Sequence, residues 1–517
     1  MARGAVASAA VDSGINTVLD PRRKWYNNRR IIALNGWIVL LLITSSTNGY
    51  DGSMMNGLQS LPQWQNYFHH PGSSELGLLN AIQNIGGLAA YPFAPYLSDG
   101  IGRRPTVFIG AVIMTIATAI QGAAQSAGMF IGARLLIGFG LTFAANAAPM
   151  LVSEISYPRY RAQLTAAYNS LWNSGAIIAA WTTFGTFKLN STWAWRIPSV
   201  LQGLPSVLQI LLIWFVPESP RYLISKGKDE QALEILAYYH GDGNRDDPLV
   251  QYEFNEIKTA IDYDRTVASN VGWKSLFATS GNRKRMRIII AIAFFSQWSG
   301  NGLASYYLNK ILDDINITDS TTQLLINGVA TIWSLLCGLC ASALVDKLGR
   351  RFMFLFSGLG MLVTFTSQTI AFAQFQIHGQ PAAAHTVIAF LFLYSAAYNP
   401  LIVVYTVEIL PYPLRAKGFN IFNLTISLAL IFNQYVNPIA LARITWKYYV
   451  VYCCWLVVEC IFLYFYVVET KNLTLEETAA IFDGEEATNE ILGNGLNAAE
   501  HEKRVESIDE VENVKKT

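Results

Sequence analysis

The sequence predicts an all-α protein that threads a lipid bilayer about twelve times, as two halves of about six helices each. Three observations carry this prediction. Apolar stretches of about twenty residues recur from Ile31 to Val468, basic residues alternate from one connecting loop to the next, and the chain repeats its own motifs. Of 517 residues 52% are hydrophobic and 14% are charged, against roughly 25% charged in a soluble domain. A soluble core cannot absorb that much apolar sequence. Each stretch is long enough to cross a hydrocarbon layer roughly 30 Å thick as a helix. In lipid every backbone N–H and C=O must be paired internally, so stretches of this length read as helices and not as strands.

The loop charges set an orientation. Arg22, Arg23, Lys24, Arg29 and Arg30 precede span 1, Arg103 and Arg104 follow span 2, and Arg159 and Arg161 follow span 4. Lys347, Arg350 and Arg351 follow span 8, and Arg415 and Lys417 follow span 10, whereas the segments Met54 to Gly77 and Gln374 to His385 are free of Lys and Arg. Positive loops stay in the cytoplasm, so both termini are expected there, in a multi-pass protein of the plasma membrane. The first stretch of chain lacks an apolar signal-peptide core, which leaves span 1 to direct insertion. Two glycosylation sequons, Asn190-Ser-Thr192 and Asn316-Ile-Thr318, fall in loops on the outer side of this count.

A net charge of +1 and the lack of a basic, aromatic-rich soluble face exclude a nucleic-acid partner. All five cysteines lie in predicted spans. Cys337-Gly-Leu-Cys340 has no second pair or histidine to complete a metal site, so no metal or other cofactor is expected. The soluble segments also lack a nucleophile, base and orienting group in combination, so the chain is not expected to be an enzyme.

The internal repeat divides the chain. "DGIGRRP" from Asp99 recurs as "DKLGRRF" from Asp346, "SEISYPRYRA" from Ser153 as "VEILPYPLRA" from Val407, and "PESPR" from Pro217 as "VETKN" from Val468. The common offset of roughly 250 residues fits two parallel halves related by an axis along the membrane normal. The boundaries that follow are a tail over 1–31, a first half over 32–216, a polar linker with short helices over 217–285, a second half over 286–468 and an acidic tail over 469–517. Within the linker, Glu230 to Tyr239 reads as a helix.

The repeated D-x-x-G-R-R loops, Pro217-Glu-Ser-Pro-Arg221 and Val468-Glu-Thr-Lys-Asn472 resemble the sugar porter family of the major facilitator superfamily, in order and placement, from about Asn35 to Phe482. The resemblance implies a secondary transporter working by alternating access, with a sugar and a proton as its partners, in a monomer. Independently of the name, Asp99, Arg103, Arg104, Glu154 and Arg161, with Glu218, can form an ion-pair network at one membrane face. Asp346, Arg350, Arg351, Glu408, Arg415 and Glu469 would repeat it. Such networks can hold a gate closed and must then break as the halves rock. The plainer role is charge that flanks the membrane and sets topology.

Charges inside spans are costly, which makes Asp51 in span 1 and Arg134 in span 4 functional candidates. Their charges can neutralise one another, and protonation of Asp51 would release the pair; a static structural ion pair is the alternative. In the family the Asp51 position resembles the acidic site of proton symporters. Amides at i, i+4 spacing occur in span 2 (Asn80, Asn84), span 5 (Asn169, Asn173), span 7 (Gln297, Asn301) and span 11 (Asn433, Asn437). An amide both donates and accepts, which suits a polyol, and Trp172, Trp298, Tyr306, Tyr307 and Tyr398 offer flat faces for sugar rings. Interhelical packing is the alternative role for any one amide.

The span 7 segment Gln297 to Tyr307 resembles the family's substrate motif with departures: Ser296 replaces a Gln, and Asn301 stands one place early with Gly302 behind it. In span 10, where Tyr398 and Asn399 precede Pro400, Val403 stands at a position where hexose carriers have Trp, and Ser427 marks a similar loss of bulk in span 11. These departures look most like the fungal lactose and cellodextrin permease branch, which implies a disaccharide. A hexose carrier, an exporter of a small metabolite and a sugar sensor remain alternatives.

Overall fold

The computed structural model describes residues 23–267, 272–398, 402–410, 412–471 and 481–482. The tails expected over 1–31 and 469–517 therefore lie largely outside the described residues. The first half is built from α1 (Arg29–Gln59), α2 (Pro62–Tyr67), α3 (Ser73–Ala90), α4 (Ala94–Ile101), α5 (Arg103–Gly122), α6 (Ala127–Ile155), α7 (Arg161–Thr186), α8 (Trp193–Leu201) and α9 (Leu204–Leu212). The linker carries α10 (Pro220–Ser225), α11 (Asp229–His240), α12 (Pro248–Val267) and α13 (Ser275–Ala278). The second half comprises α14 (Ser280–Trp298), α15 (Asn301–Asp314), α16 (Ser320–Leu348), α17 (Arg350–His378), α18 (Pro381–Ala397), α19 (Ile402–Ile409), α20 (Tyr412–Ile444) and α21 (Lys447–Tyr466). The first long helix of the second half starts at Ser280, where Thr279 caps α14 by accepting from the Asn282 N–H.

Among the described residues, nine helical runs are long and apolar enough to cross a membrane. The remaining crossings are α3 with α4, α7 and α18. α3 and α7 carry amides, and α18 is shorter. Spans 2, 6 and 7 are interrupted, being made of α3 with α4, α8 with α9, and α14 with α15.

Close approach inside the first half depends on small residues. A Cβ on Gly49 of α1 would sit 1.8 Å from the Trp172 carbonyl of α7, and one on Gly175 would sit 1.8 Å from the Ser46 carbonyl. Without side chains there, the two backbones touch, the usual source of cohesion where lipid removes the hydrophobic driving force.

The linker is fastened to the first half. Arg161 at the start of α7 reaches Glu253 of α12 at 3.5 Å, and Glu253 lies 2.6 Å from His240 Nδ1 at the end of α11. The other ring nitrogen of His240 lies 3.2 Å from the Ile155 carbonyl. Arg23 pairs with Asp247 at 2.8 Å, and Arg30 lies over the Tyr238 ring.

Hydrogen bonds that cross between the halves cluster at the face opposite the linker. Asn56 of α1 donates to Asn327 of α16 at 2.9 Å and accepts the Leu308 N–H at 3.1 Å, and Gln59 donates to the Tyr306 carbonyl at 3.2 Å. Lys310 donates to Ser73 at 3.2 Å, while Asn84 and Gln434 meet at 2.6 Å deeper in the bundle.

Candidate functional site

A cavity of about 390 Å³ lies between the halves. Its polar lining includes Ser53 and Asn56 of α1, Asn173 of α7, Gln297 of α14, Asn301 of α15, Asn327 of α16 and Ser395 of α18. Trp172, Tyr306 and Tyr398 supply aromatic faces. The volume lies within the range of small-molecule sites, roughly 300–1,000 Å³.

The cavity's position depends on a break in span 7. α14 ends at Trp298, Gly300 takes the left-handed conformation with φ +98°, and α15 starts at Asn301. A Cβ on Gly300 would also lie 2.6 Å from the Phe365 ring, so only glycine fits. Gln297 and Asn301 therefore stand on either side of the break and not on one continuous helix face, yet both line the cavity. Asn301 donates to the Tyr398 hydroxyl at 2.9 Å, and Tyr398 donates to the Ser296 carbonyl at 2.6 Å.

Other amides and aromatics occupy the packing instead. Asn433 is buried, donating to the Gln297 carbonyl at 2.5 Å and accepting from Tyr452 at 3.0 Å, and Asn437 accepts from Tyr448 and Tyr452. Tyr307 is buried and donates to the Gln434 carbonyl, Asn80 donates to the Leu76 carbonyl, and Trp298 donates to the Ala429 carbonyl. Asn433 and Tyr307, expected at the ligand, thus stand behind the cavity, where they hold α14, α15, α20 and α21 together. Ser427 bonds its own helix at Asn423 and is not part of the lining. Asn399 lies outside the described residues, as do the side chains of Asn169 and Val403. Ser53 and Asn56 were missed in the sequence because neither belongs to an i, i+4 amide pair, whereas Asn327 does, with Gln323 four residues before it on α16, and that pair was the signal that could have found it.

Asp51 and Arg134 are both buried. The expected direct ion pair does not form. Asp51 Oδ1 accepts from Gln202 at the end of α8, while Arg134 donates to the Leu79 carbonyl and to Gln83 Oε1, each at 2.8 Å. Asp51 Oδ2 and Arg134 Nη1 have no hydrogen-bond partner. Neutral groups compete for the pair: Gln202 takes one oxygen of Asp51, and Gln83 with the Leu79 carbonyl takes two nitrogens of Arg134, leaving one unpartnered atom on each.

At the linker face the repeated motifs build two equivalent networks. In the first half Arg103 pairs with Glu154 at 3.2 Å and with Asp99 at 3.1 Å, and Glu218 accepts the backbone N–H groups of Arg103, Arg104 and Ser219. Arg104 donates to the Trp214 and Val216 carbonyls. In the second half Arg350 pairs with Glu408 at 2.9 Å, Glu469 accepts the N–H groups of Arg350 and Arg351, and Arg351 donates to the Tyr464 carbonyl. Each glutamate caps the amino end of α5 or α17, where unpaired N–H groups and the helix dipole favour an anion. The glycines before these helices, Gly102 (φ +112°) and Gly349 (φ +89°), leave room: a Cβ there would lie 2.5 Å and 2.7 Å from the capping carboxylates.

Two expectations change here. Arg161 reaches the linker's Glu253 and not Glu154, because the latter is occupied by Arg103. Every pair described in these networks also joins elements of one half, so rocking of the halves does not require the pairs to break. The side chains of Asp346 and Arg415 lie outside the described residues. Asn190 and Asn316 are exposed in loops on the face opposite the linker.

Two parallel bundles, a polar cavity between them and motif networks at one face define a membrane transporter of the major facilitator fold. The chain aligns with the xylose transporter XylE from E. coli in an inward open conformation with a TM-score of 0.71 at 22% identity, covering 87% of this chain and 100% of that one. Residues 37–482 match the model of the "Sugar (and other) transporter" family, and the chain belongs to that family. It is 29% identical to the MFS-type transporter oryC of Aspergillus oryzae, over 89% of this chain and 88% of that protein. It is 28% identical to the high-affinity glucose transporter of Kluyveromyces lactis, over 83% of this chain and 81% of that protein.

Proposed function

We propose that this chain imports a sugar by proton symport at the plasma membrane, with both termini in the cytoplasm, and that the sugar is a disaccharide such as lactose or cellobiose. The observation that carries the reading is the cavity, whose amides and aromatics come from both halves. Amides match hydroxyls in donor and acceptor capacity, and aromatic faces match the C–H faces of pyranose rings. Small residues in the lining, Ala304, Ala330 and Gly338, support a ligand bulkier than one ring.

With the linker in the cytoplasm, the cross-half hydrogen bonds close the outer face, and the cavity serves the cytoplasmic side in this state. Transport then proceeds by rocking of the halves, each kept rigid at its cytoplasmic end by its own gate network of Asp99, Arg103, Arg104, Glu154 and Glu218, or Arg350, Arg351, Glu408 and Glu469. Asp51 is the proton site. It is buried, and its unpartnered oxygen leaves a charge that a proton can remove. The protein works as a monomer.

Uptake of labelled sugars by a transporter-deficient host, with and without a protonophore, tests this reading. Lactose or cellobiose should displace label better than glucose or xylose, and the protonophore should abolish accumulation. Strong glucose uptake unaffected by disaccharides would replace the disaccharide by a hexose, the second reading, which the name of the Kluyveromyces lactis relative favours. Efflux without uptake would point to an exporter.

A further inference from the structure

The second half contains a buried acid for which transport through Asp51 has no use. Glu459, on α21, is 4% exposed, and Ser299 is its described hydrogen-bond partner, with Ser299 Oγ 3.1 Å and 3.3 Å from the two carboxylate oxygens. Among the described residues no Lys, Arg or His forms an ion pair with it. The titratable groups that face it are Tyr394 and Tyr398 of α18 and Cys460 of its own helix. From α14 and α17 it meets Phe295, Ser357 and Leu463's neighbour Phe354 around a cavity of about 20 Å³, the size of one water. Tyr398 lines both this small cavity and the large one.

Hydrogen counting at Ser299 decides what this contact means. The Ser299 hydroxyl also donates to the Phe295 carbonyl, and a serine hydroxyl has one proton to give. When that proton lies on Phe295, a bond between Ser299 and Glu459 requires the carboxyl to be the donor, hence protonated. When Glu459 is ionised, the Ser299 proton turns to it and the Phe295 carbonyl loses its partner. An ionised carboxylate without a counter-charge is also costly at this depth. One proton therefore selects between two arrangements.

Ser299 is the residue at which span 7 breaks. Its carbonyl accepts from Tyr394 at 2.8 Å, and Gly300 follows in the left-handed conformation. Beyond the break, α15 carries Asn301 and Tyr306 into the large cavity, and Leu308 and Lys310 into the contacts with Asn56 and Ser73 that close the opposite face. A change at Ser299 thus reaches both the cavity and the closed face through one short helix.

We propose that Glu459 is a second proton-binding site of this transporter, and that its protonation sets the position of the span 7 hinge through Ser299. The proton is taken from water, adds to the carboxylate to form the neutral acid, and returns to water when the acid ionises. The inference rests on the proton-coupled reading above, so its first test does not use transport. Infrared pH-difference spectra of the purified full chain should contain a protonated-carboxyl band that is lost in Glu459→Gln, kept in Asp51→Asn, and shifted in Ser299→Ala, which retains the acid but removes its partner. Ser299→Ala also serves as the informative variant if Glu459→Gln does not fold. A full set of protonated-carboxyl bands in Glu459→Gln, or an unshifted band in Ser299→Ala, overturns the assignment.

The second test is counterflow of cellobiose, lactose and glucose in proteoliposomes across a pH series. Exchange by Asp51→Asn should keep a pH dependence that disappears in the Asp51→Asn, Glu459→Gln double variant. An unchanged pH dependence in the double variant overturns the hinge role. Absence of counterflow for all three sugars with the infrared result intact would reject the sugar reading and leave the proton site standing.

Discussion

Glu218 in the first half and Glu469 in the second cap equivalent helices through equivalent pairs of backbone N–H groups, yet their carboxyls shift in opposite directions. Burial raises Glu218 above the ordinary glutamate value of 4.5, and the N–H bonds from Ser219, Arg104 and Arg103 do not offset it. Burial also works upward on Glu469, but the N–H bonds from Arg350, Lys471, Arg351 and Thr470 together outweigh it and hold the group below that value. The difference lies in the cover: α10 follows directly on Glu218, and Tyr222 packs close to it. A repeated motif therefore specifies a hydrogen-bond geometry, while the unrepeated surroundings set its electrostatics. The same contrast holds deeper, where span 1 of the first half is one helix containing Asp51 and its counterpart span 7 in the second half is broken beside the large cavity.

The largest test of that asymmetry is Asp51→Asn, which keeps the shape and the Gln202 contact but removes the ionisable group. Accumulation against a gradient should be abolished at normal surface expression, with binding of sugar retained. Protonophore-sensitive accumulation by the surface-expressed variant would move the coupling site out of the first half. Poor expression with no transport would instead fit a structural role, since Arg134 would be left uncompensated.

Arg104→Ala and Arg351→Ala test the symmetry of the gates. Each removes donors to backbone carbonyls at one end of its own half, so turnover should fall in both while equilibrium binding changes little. Parallel binding and transport assays on one preparation decide it, and a large binding loss with normal turnover in either would assign that arginine to the cavity. Gln297→Ala asks the opposite question of the second half. Loss of one neutral partner costs about 0.5–1.5 kcal/mol, a several-fold weakening of sugar affinity, read by displacement of label. Unchanged affinity in correctly inserted protein would exclude Gln297 from the site.

The smallest effects concern the caps. Glu469 contributes stability that is present above its unfolded-state pKa and lost as pH falls through its lower folded value. Glu469→Gln should therefore be destabilising at neutral pH, with the gap closing in acid. Glu218 has the opposite sign, since its ionised form is disfavoured in the folded state once pH rises above the ordinary glutamate value. Glu218→Gln should be neutral or stabilising at neutral pH. Thermal unfolding of both variants across a pH series checks the signs, and equal behaviour would show that the cover over Glu218 does not matter.

The motif networks were legible from sequence because the same residue types recur at an offset of roughly 250, Arg103 as Arg350 and Glu154 as Glu408. The cavity was only partly legible. Helices in lipid are apolar on all sides, so their sequences give little indication of which face meets the substrate, and Asn433 is indistinguishable there from Asn173. Span 7 read as continuous because i, i+4 spacing presumes a helix, and nothing in that spacing records the turn at Gly300. Asp51 and Arg134 were recognised from their cost, whereas Gln202 and Gln83, which satisfy them, are uncharged and do not stand out in sequence.

The clamp from Arg161 and His240 to Glu253, with Arg23 on Asp247, makes the linker a passenger of the first half. An exposed position on it, such as Tyr238, therefore travels with one bundle, while an exposed position on α17, such as Phe352, travels with the other. Dyes attached at those two points would form a molecular ruler for the working cycle, readable on single molecules without touching the cavity or either acid.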